Sequence, residues 1–191
     1  MTFVYNKRKT VAASYRCRRE WTSSMEKLEN TLRKVREDET LTEGLRVFDI
    51  FSVCVSLYAF IYIIAMAWQK DGWLALKVAG ILAIPFAVVT LIRHLLHAPR
   101  PYEVFGLGHP SGKEKKIRHG AFPSRHVFSA ALLGCVMLAF APLFGGILLG
   151  LAALLGVARV LLGFHFPRDV VCGYLAGVLS GAVGLVVLHF L

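Results

Sequence analysis

Residues 50 to 68 read IFSVCVSLYAFIYIIAMAW, 19 consecutive positions without a charge. At about 1.5 Å of helical rise per residue such a run nearly matches the roughly 30 Å of hydrocarbon in a bilayer. Four further apolar runs follow: Trp73 to Ile92, Val127 to Ala141, Leu143 to Phe166 and Val170 to Leu188. The charges inside them are Lys77, near an end from which it can snorkel, and Arg159. Short connections at Gln69 to Gly72 and around Pro142 turn neighbouring helices into antiparallel hairpins. The fold class expected is therefore all-α, a polytopic transmembrane bundle of about five spanning helices plus an N-terminal amphipathic helix.

Composition agrees. The 191 residues are 56% hydrophobic and 18% charged, with a net charge of +10, whereas soluble domains average about 25% charged residues. The cysteines Cys17, Cys54, Cys135 and Cys172 form no CxxC pair, so free thiols are expected and no metal cluster. The opening Met-Thr-Phe-Val-Tyr-Asn lacks the apolar core of a cleavable signal, and the first long apolar run is expected to be retained.

Two units are expected, a basic segment over residues 1–46 and a membrane-embedded core over 47–191. The first holds 11 of the 22 basic residues and 7 of the 12 acidic ones. Within it Ser23-Ser24-Met25-Glu26 fits a capping box, and Trp21, Met25, Leu28, Leu32 and Val35 recur at helical spacing. Such a helix either lies on an anionic lipid surface or packs against a partner or its own bundle. Lys113, Lys115, Lys116 and Arg118 crowd the middle loop, while the outer connections offer only Lys70. The positive-inside rule then puts the N-terminus and that loop in the cytoplasm, for a multi-pass protein of the cell membrane. The loop serves as a topology determinant or holds an anionic headgroup. Glycines four apart, Gly146/Gly150 and Gly173/Gly177/Gly181, are expected at close helix contacts.

Three polar clusters interrupt this pattern, all at the same ends of the runs. They are Arg93 with Arg100-Pro101, then Pro123-Ser124-Arg125-His126, then Arg159 with His165 and Asp169. Arg93, Arg100 and Arg159 present planar, permanently charged forks suited to phosphate oxygens. With few acidic residues nearby in sequence, the counter-ion expected for Arg159 is the ligand itself. Pro123-Ser124 reads as a helix start, where Ser124 caps the helix or joins its N-H groups in holding an anion. Asp169, four residues after His165, is placed to accept a proton from one imidazole nitrogen and leave the other free to attack. His126 is then available as acid or base, and the set suffices for phosphoryl transfer without a metal. His94 and His97 lack a carboxylate or thiolate neighbour, and neither metal nor cofactor is expected.

These clusters together resemble the three motifs of the type 2 phosphatidic acid phosphatase superfamily, the lipid phosphate phosphatases. A basic residue, six residues and Arg-Pro match Arg93 and Arg100-Pro101; Pro-Ser-Gly-His matches Pro123 to His126; Arg, five residues, His, three residues and Asp match Arg159, His165 and Asp169. Pro110-Ser111-Gly112 imitates the second motif but is followed by Lys113. The resemblance implies that His165 is the nucleophile, Asp169 orients it and His126 protonates the leaving group. It also implies that Arg93, Arg100, Ser124, Arg159 and the main chain at Arg125 bind the phosphate. The chain departs from the pattern at Arg93, usually Lys, at Ala158, usually Ser, and most at Arg125, usually Gly.

The function expected is metal-independent hydrolysis of a lipid phosphate monoester or diphosphate through a phosphohistidine. The substrates in view are phosphatidate, phosphatidylglycerol phosphate and a polyprenyl phosphate or diphosphate. A membrane lipid is the expected partner and nucleic acid is not. The rival readings are a non-catalytic anionic-lipid-binding protein, a phosphoryl transferase using the same site, and a vanadate-using oxidoreductase like the related haloperoxidases, which are soluble.

Overall fold

The computed structural model describes residues 23–110 and 120–190. Cys17, Trp21 and the rest of residues 1–22 of the basic N-terminal segment, the lysines of the middle loop and Ser111-Gly112 lie outside the described residues. Helices follow in the order α1 (23–37), α2 (Glu39–Lys70), α3 (Gly72–Leu96), α4 (Pro101–Val104), α5 (Arg125–Met137), α6 (Pro142–Leu161) and α7 (Pro167–Phe190). Four of them, α2, α3, α6 and α7, are long and apolar enough to cross a membrane. Their outward faces carry Leu57, Ile61, Leu76, Ile84, Leu154 and Val183, all exposed, as lipid-facing positions should be. The chain is an integral membrane protein.

The fifth apolar run behaves differently. Helix α5 has 13 residues, about 20 Å at the helical rise, too short to span alone. Ten of its residues are buried, because it is the central strut against which α6 and α7 pack most extensively and α2 and α3 also rest. A helix apolar on every face is either lipid-bathed or enclosed by neighbours; α5 is enclosed.

Glycine makes that enclosure possible, though only partly at the expected positions. A Cβ on Gly177 would lie 2.5 Å from Phe128 O and 2.9 Å from Ala131 Cβ, and one on Gly181 2.7 Å from Cys135 Cβ. Thus Gly173, Gly177 and Gly181 form the α7 face against α5. Gly146 and Gly150, by contrast, have nothing within 4 Å of a built Cβ. The small residues that α6 turns inward are Gly145, Ala152 and Gly156. Spacing by four identifies a stripe, but Gly145 and Gly146 stand about 100° apart around the axis, and packing chose the former.

Other elements sharpen the expected boundaries. Ser23 is already helical, so the proposed capping box does not begin the helix at that residue. Asp38 caps α2, its side chain accepting from Leu41 N at 2.9 Å. The run from Leu143 to Phe166 stops being helical at Leu161, since Gly163 adopts φ +74° and Pro167 opens the next helix. Residues 162–166 become the corner that carries His165.

Candidate active site

Helix α3 delivers Arg93 from its last turn, 4% exposed. Arg93 Nη1 donates to Ala121 O at 3.0 Å and to Pro123 O, so the guanidinium clamps the backbone leading into α5. His97 ends α3 in the left-handed region at φ 43°, and Ala121 N donates to Ala98 O at 2.7 Å. The returning chain is thereby pinned beside the end of α3. Arg100 then caps the short α4, its N-H donating to Glu103 Oε2 at 2.8 Å.

Ser124 is the fully buried N-cap of α5, yet its Oγ makes no capping bond and has no partner among the described residues. The helix start is anchored through the main chain, Ser124 N donating to Asp169 O at 2.9 Å. Gly173 allows this approach, because a Cβ there would lie 2.7 Å from Ser124 O. A hydroxyl that is buried and idle as a cap is free for another partner. Arg125 and His126 follow in the first turn.

Arg159 departs from expectation. Its Nε and Nη2 donate to Asp49 Oδ1 and Oδ2 at 2.9 and 3.0 Å, and both side chains are largely buried. The counter-ion is thus a carboxylate from α2, 110 residues away, rather than a ligand alone. A bidentate fork of this kind fixes the guanidinium plane as well as its charge.

His165 and Asp169 are 2% and 1% exposed. Asp169 Oδ2 accepts from Phe166 N at 2.9 Å, the return bond of a capping box at the start of α7. The same oxygen lies 3.9 Å from His165 Nδ1, beyond a hydrogen bond. The expected bond between them is therefore a longer contact, and the Phe166 amide holds the same oxygen. Burial pushes the His165 imidazole well below its ordinary 6.5, and the guanidiniums of Arg159, Arg100 and Arg93 push the same way. His165 is accordingly neutral at physiological pH.

The unpaired polar atoms converge on these residues. Eight buried side-chain N or O atoms lack a hydrogen-bond partner among the described residues, and five belong to Arg93, Arg100, Ser124, His165 and Asp169, although Arg168 Nε lies 3.6 Å from Asp169 Oδ1. Buried polar groups are rarely left so, and five at one meeting of helices mark a candidate binding site. A groove of about 750 Å³ opens beside it. Val53, Leu57 and Phe60 of α2 face Ala79, Ala83 and Phe86 of α3 across it, and Arg125, His126 and Ser129 form its polar end.

Two contributors escaped the sequence reading, Asp49 and, on α1, Arg36, which donates to Leu107 O and, at 2.8 Å, to Gly108 O. Leu32, marked in the sequence by its helical spacing, is 1% exposed and packed toward Gly163. Helix α1 thus braces the corner bearing His165 and the segment after α4. A lone charge in a basic segment carries no sequence signal for such a role.

The chain is thus an integral membrane protein whose helices and connecting corners gather four arginines, two histidines and an aspartate at one candidate site. The chain matches the PAP2 superfamily over residues 74–190, and it belongs to that superfamily. Its fold is similar to the transmembrane PAP2-type phosphatidylglycerolphosphate phosphatase from Bacillus subtilis, with TM-score 0.67 and 20% identity over 86% of this chain and 84% of that one. It is also similar to Aquifex aeolicus LpxE, with TM-score 0.60 and 19% identity over 81% and 92% of the two chains. No curated protein sequence matches the chain.

Proposed function

We propose that this protein hydrolyses a lipid phosphate, as a monoester or diphosphate, through a phosphohistidine and without a metal. The observation that carries the proposal is the junction of two environments. An apolar groove of about 750 Å³ has Arg125 and His126 at its polar end, beside buried Arg93, Ser124, Arg159, His165 and Asp169 and half-buried Arg100. Superfamily membership and the phosphatase names of the two solved neighbours support the reading.

In this mechanism the terminal phosphoryl group lies among the arginines, the Ser124 hydroxyl and the main chain at Arg125. Neutral His165 attacks phosphorus through Nε2; closing the gap to Asp169 by about 1 Å gives Nδ1-H its hydrogen bond as positive charge develops. The bond from phosphorus to the leaving oxygen breaks, and His126, protonated once the bound phosphate offsets the burial and the arginines that otherwise hold its imidazole neutral, supplies that oxygen with a proton. Water then attacks the phosphohistidine, returns a proton to His126, and releases inorganic phosphate with His165 restored. The arginines act where charge accumulates on the equatorial oxygens. In this reading the N-terminus and site lie on the cytoplasmic side of the cell membrane, as the positive-inside rule expects of the basic N-terminal segment and loop.

The test is phosphate release in EDTA by detergent-purified protein from phosphatidate, phosphatidylglycerol phosphate and a polyprenyl diphosphate, with His165→Ala beside it. Release that depends on His165 supports the proposal. Full activity in His165→Ala, or a strict need for added Mg²⁺, refutes it.

A further inference from the structure

Arg125 is the residue that sets this chain apart from the family's Pro-Ser-Gly-His pattern, and its position gives the departure a direction. It occupies the first turn of α5 between buried Ser124 and His126. With His126 it forms the polar end of the apolar groove between α2 and α3. Two of the other site arginines are already employed: Arg93 donates to Ala121 and Pro123 carbonyls, and Arg159 is forked onto Asp49. Arg125 has no such acceptor among the described residues.

The groove holds the tail, so its polar end is the leaving-group side of the reaction. Two kinds of leaving group make opposite demands there. A monoester expels an alkoxide, whose conjugate acid is about as weak as water, with a pKa of about 15.7, and needs the His126 proton. A diphosphate expels a lipid monophosphate, whose last pKa is about 6; it needs little proton transfer but carries extra negative charge that must be met. A guanidinium beside the acid meets that charge, whereas glycine cannot.

We infer that Arg125 forms a second-phosphate subsite and that the substrates this chain handles best are lipid diphosphates. The inference rests on the phosphohistidine reading of the site. His165 attacks the terminal phosphorus, the P-O bond to the bridging oxygen breaks, and its electron pair leaves with the lipid monophosphate, against Arg125. Water completes the cycle as before, so one diphosphate and one water give one lipid monophosphate and one inorganic phosphate. The tail follows the groove, and Arg125 reads whether one phosphorus or two precede it.

The experiment compares farnesyl diphosphate with farnesyl monophosphate, which share a tail, in the wild type and in Arg125→Gly and Arg125→Gln. The ratio of kcat/KM for diphosphate over monophosphate is expected to favour the diphosphate and to fall about a hundredfold in both variants, the lower range for loss of a charge-stabilising donor. Binding of the two ligands to His165→Ala, with and without Arg125→Gly, is measured in parallel. An unchanged ratio in folded variants overturns the subsite while His165-dependent release leaves the hydrolase reading standing. Absence of turnover, together with tighter diphosphate binding that disappears in the Arg125 variant, sinks the hydrolase reading and keeps the subsite. Phosphatidylglycerol phosphate is the control for a more distant second anion; Arg125 dependence there, and not on farnesyl diphosphate, also overturns the inference.

Discussion

Replacing Asp49 with Ala tests how the site holds its own positive charge. The side chains of Arg159 and Asp49 are 8% and 17% exposed and joined by two hydrogen bonds of 2.9 and 3.0 Å. Removing one partner from such a pair leaves an uncompensated charge, a loss of about 3 to 5 kcal/mol when burial is complete. Because neither side chain is completely buried, the low end applies, about 3 kcal/mol. For a chain of this size each kcal/mol moves Tm by about 2 to 4 °C, so the expected fall is about 6 to 12 °C. The assay is thermal unfolding in detergent with and without inorganic phosphate. An anion that occupies the site replaces the lost carboxylate, so phosphate is expected to raise the Tm of Asp49→Ala more than that of the wild type. A fall under about 2 °C would refute the view that Asp49 compensates Arg159. Equal protection by phosphate in both proteins would show that Arg159 does not face the anion.

Other expectations follow from the same geometry. Gly177→Ala, whose Cβ would meet Phe128 O at 2.5 Å, is expected to destabilise by about 1 to 3 kcal/mol through overpacking, while Gly150→Ala, with nothing within 4 Å, is expected to be neutral or to stabilise by up to about 1 kcal/mol; thermal unfolding of the pair checks this, and equal effects would contradict the packing. His165 is held neutral below 6.5 by burial and by three arginines, so the acid limb of kcat/KM is expected below pH 6.5, and a limb at or above that value that moves with His165 substitution would contradict it. The same depression means that the unfolded chain takes up a proton first as pH falls through 6.5, so His165 contributes a loss of stability below that pH and none above it. Ala83→Trp in the groove wall is expected to raise KM for long-chain substrates while sparing short-chain ones, read by steady-state kinetics across chain lengths.

The spans and the three motifs were legible because both are local. Nineteen uncharged residues in α2, or four residues from His165 to Asp169, can be counted along the chain. Which face of α6 would turn inward could not: Gly146 and Gly150 matched the pattern, while Gly145 and Gly156 meet the neighbouring helices. Asp49 was illegible for a different reason, since its partner lies 110 positions away and one aspartate at the start of an apolar run looks like an interfacial charge. The His165 to Asp169 spacing brings the two side chains within 3.9 Å without the expected hydrogen bond, and nothing in the sequence marked the Phe166 amide that engages the same carboxylate oxygen. Short-range spacing places these side chains together, and it does not fix which donor the carboxylate accepts.

The account stands most directly on His165 as the atom that takes the phosphoryl group. Rapid mixing with substrate labelled in its terminal phosphate, followed by an alkaline quench that preserves phosphohistidine and by peptide mass spectrometry, is expected to find the label on His165. The label should accumulate further in His126→Ala, where water is no longer activated. Label on any other residue, or full turnover with no labelled protein at any mixing time, would contradict the account.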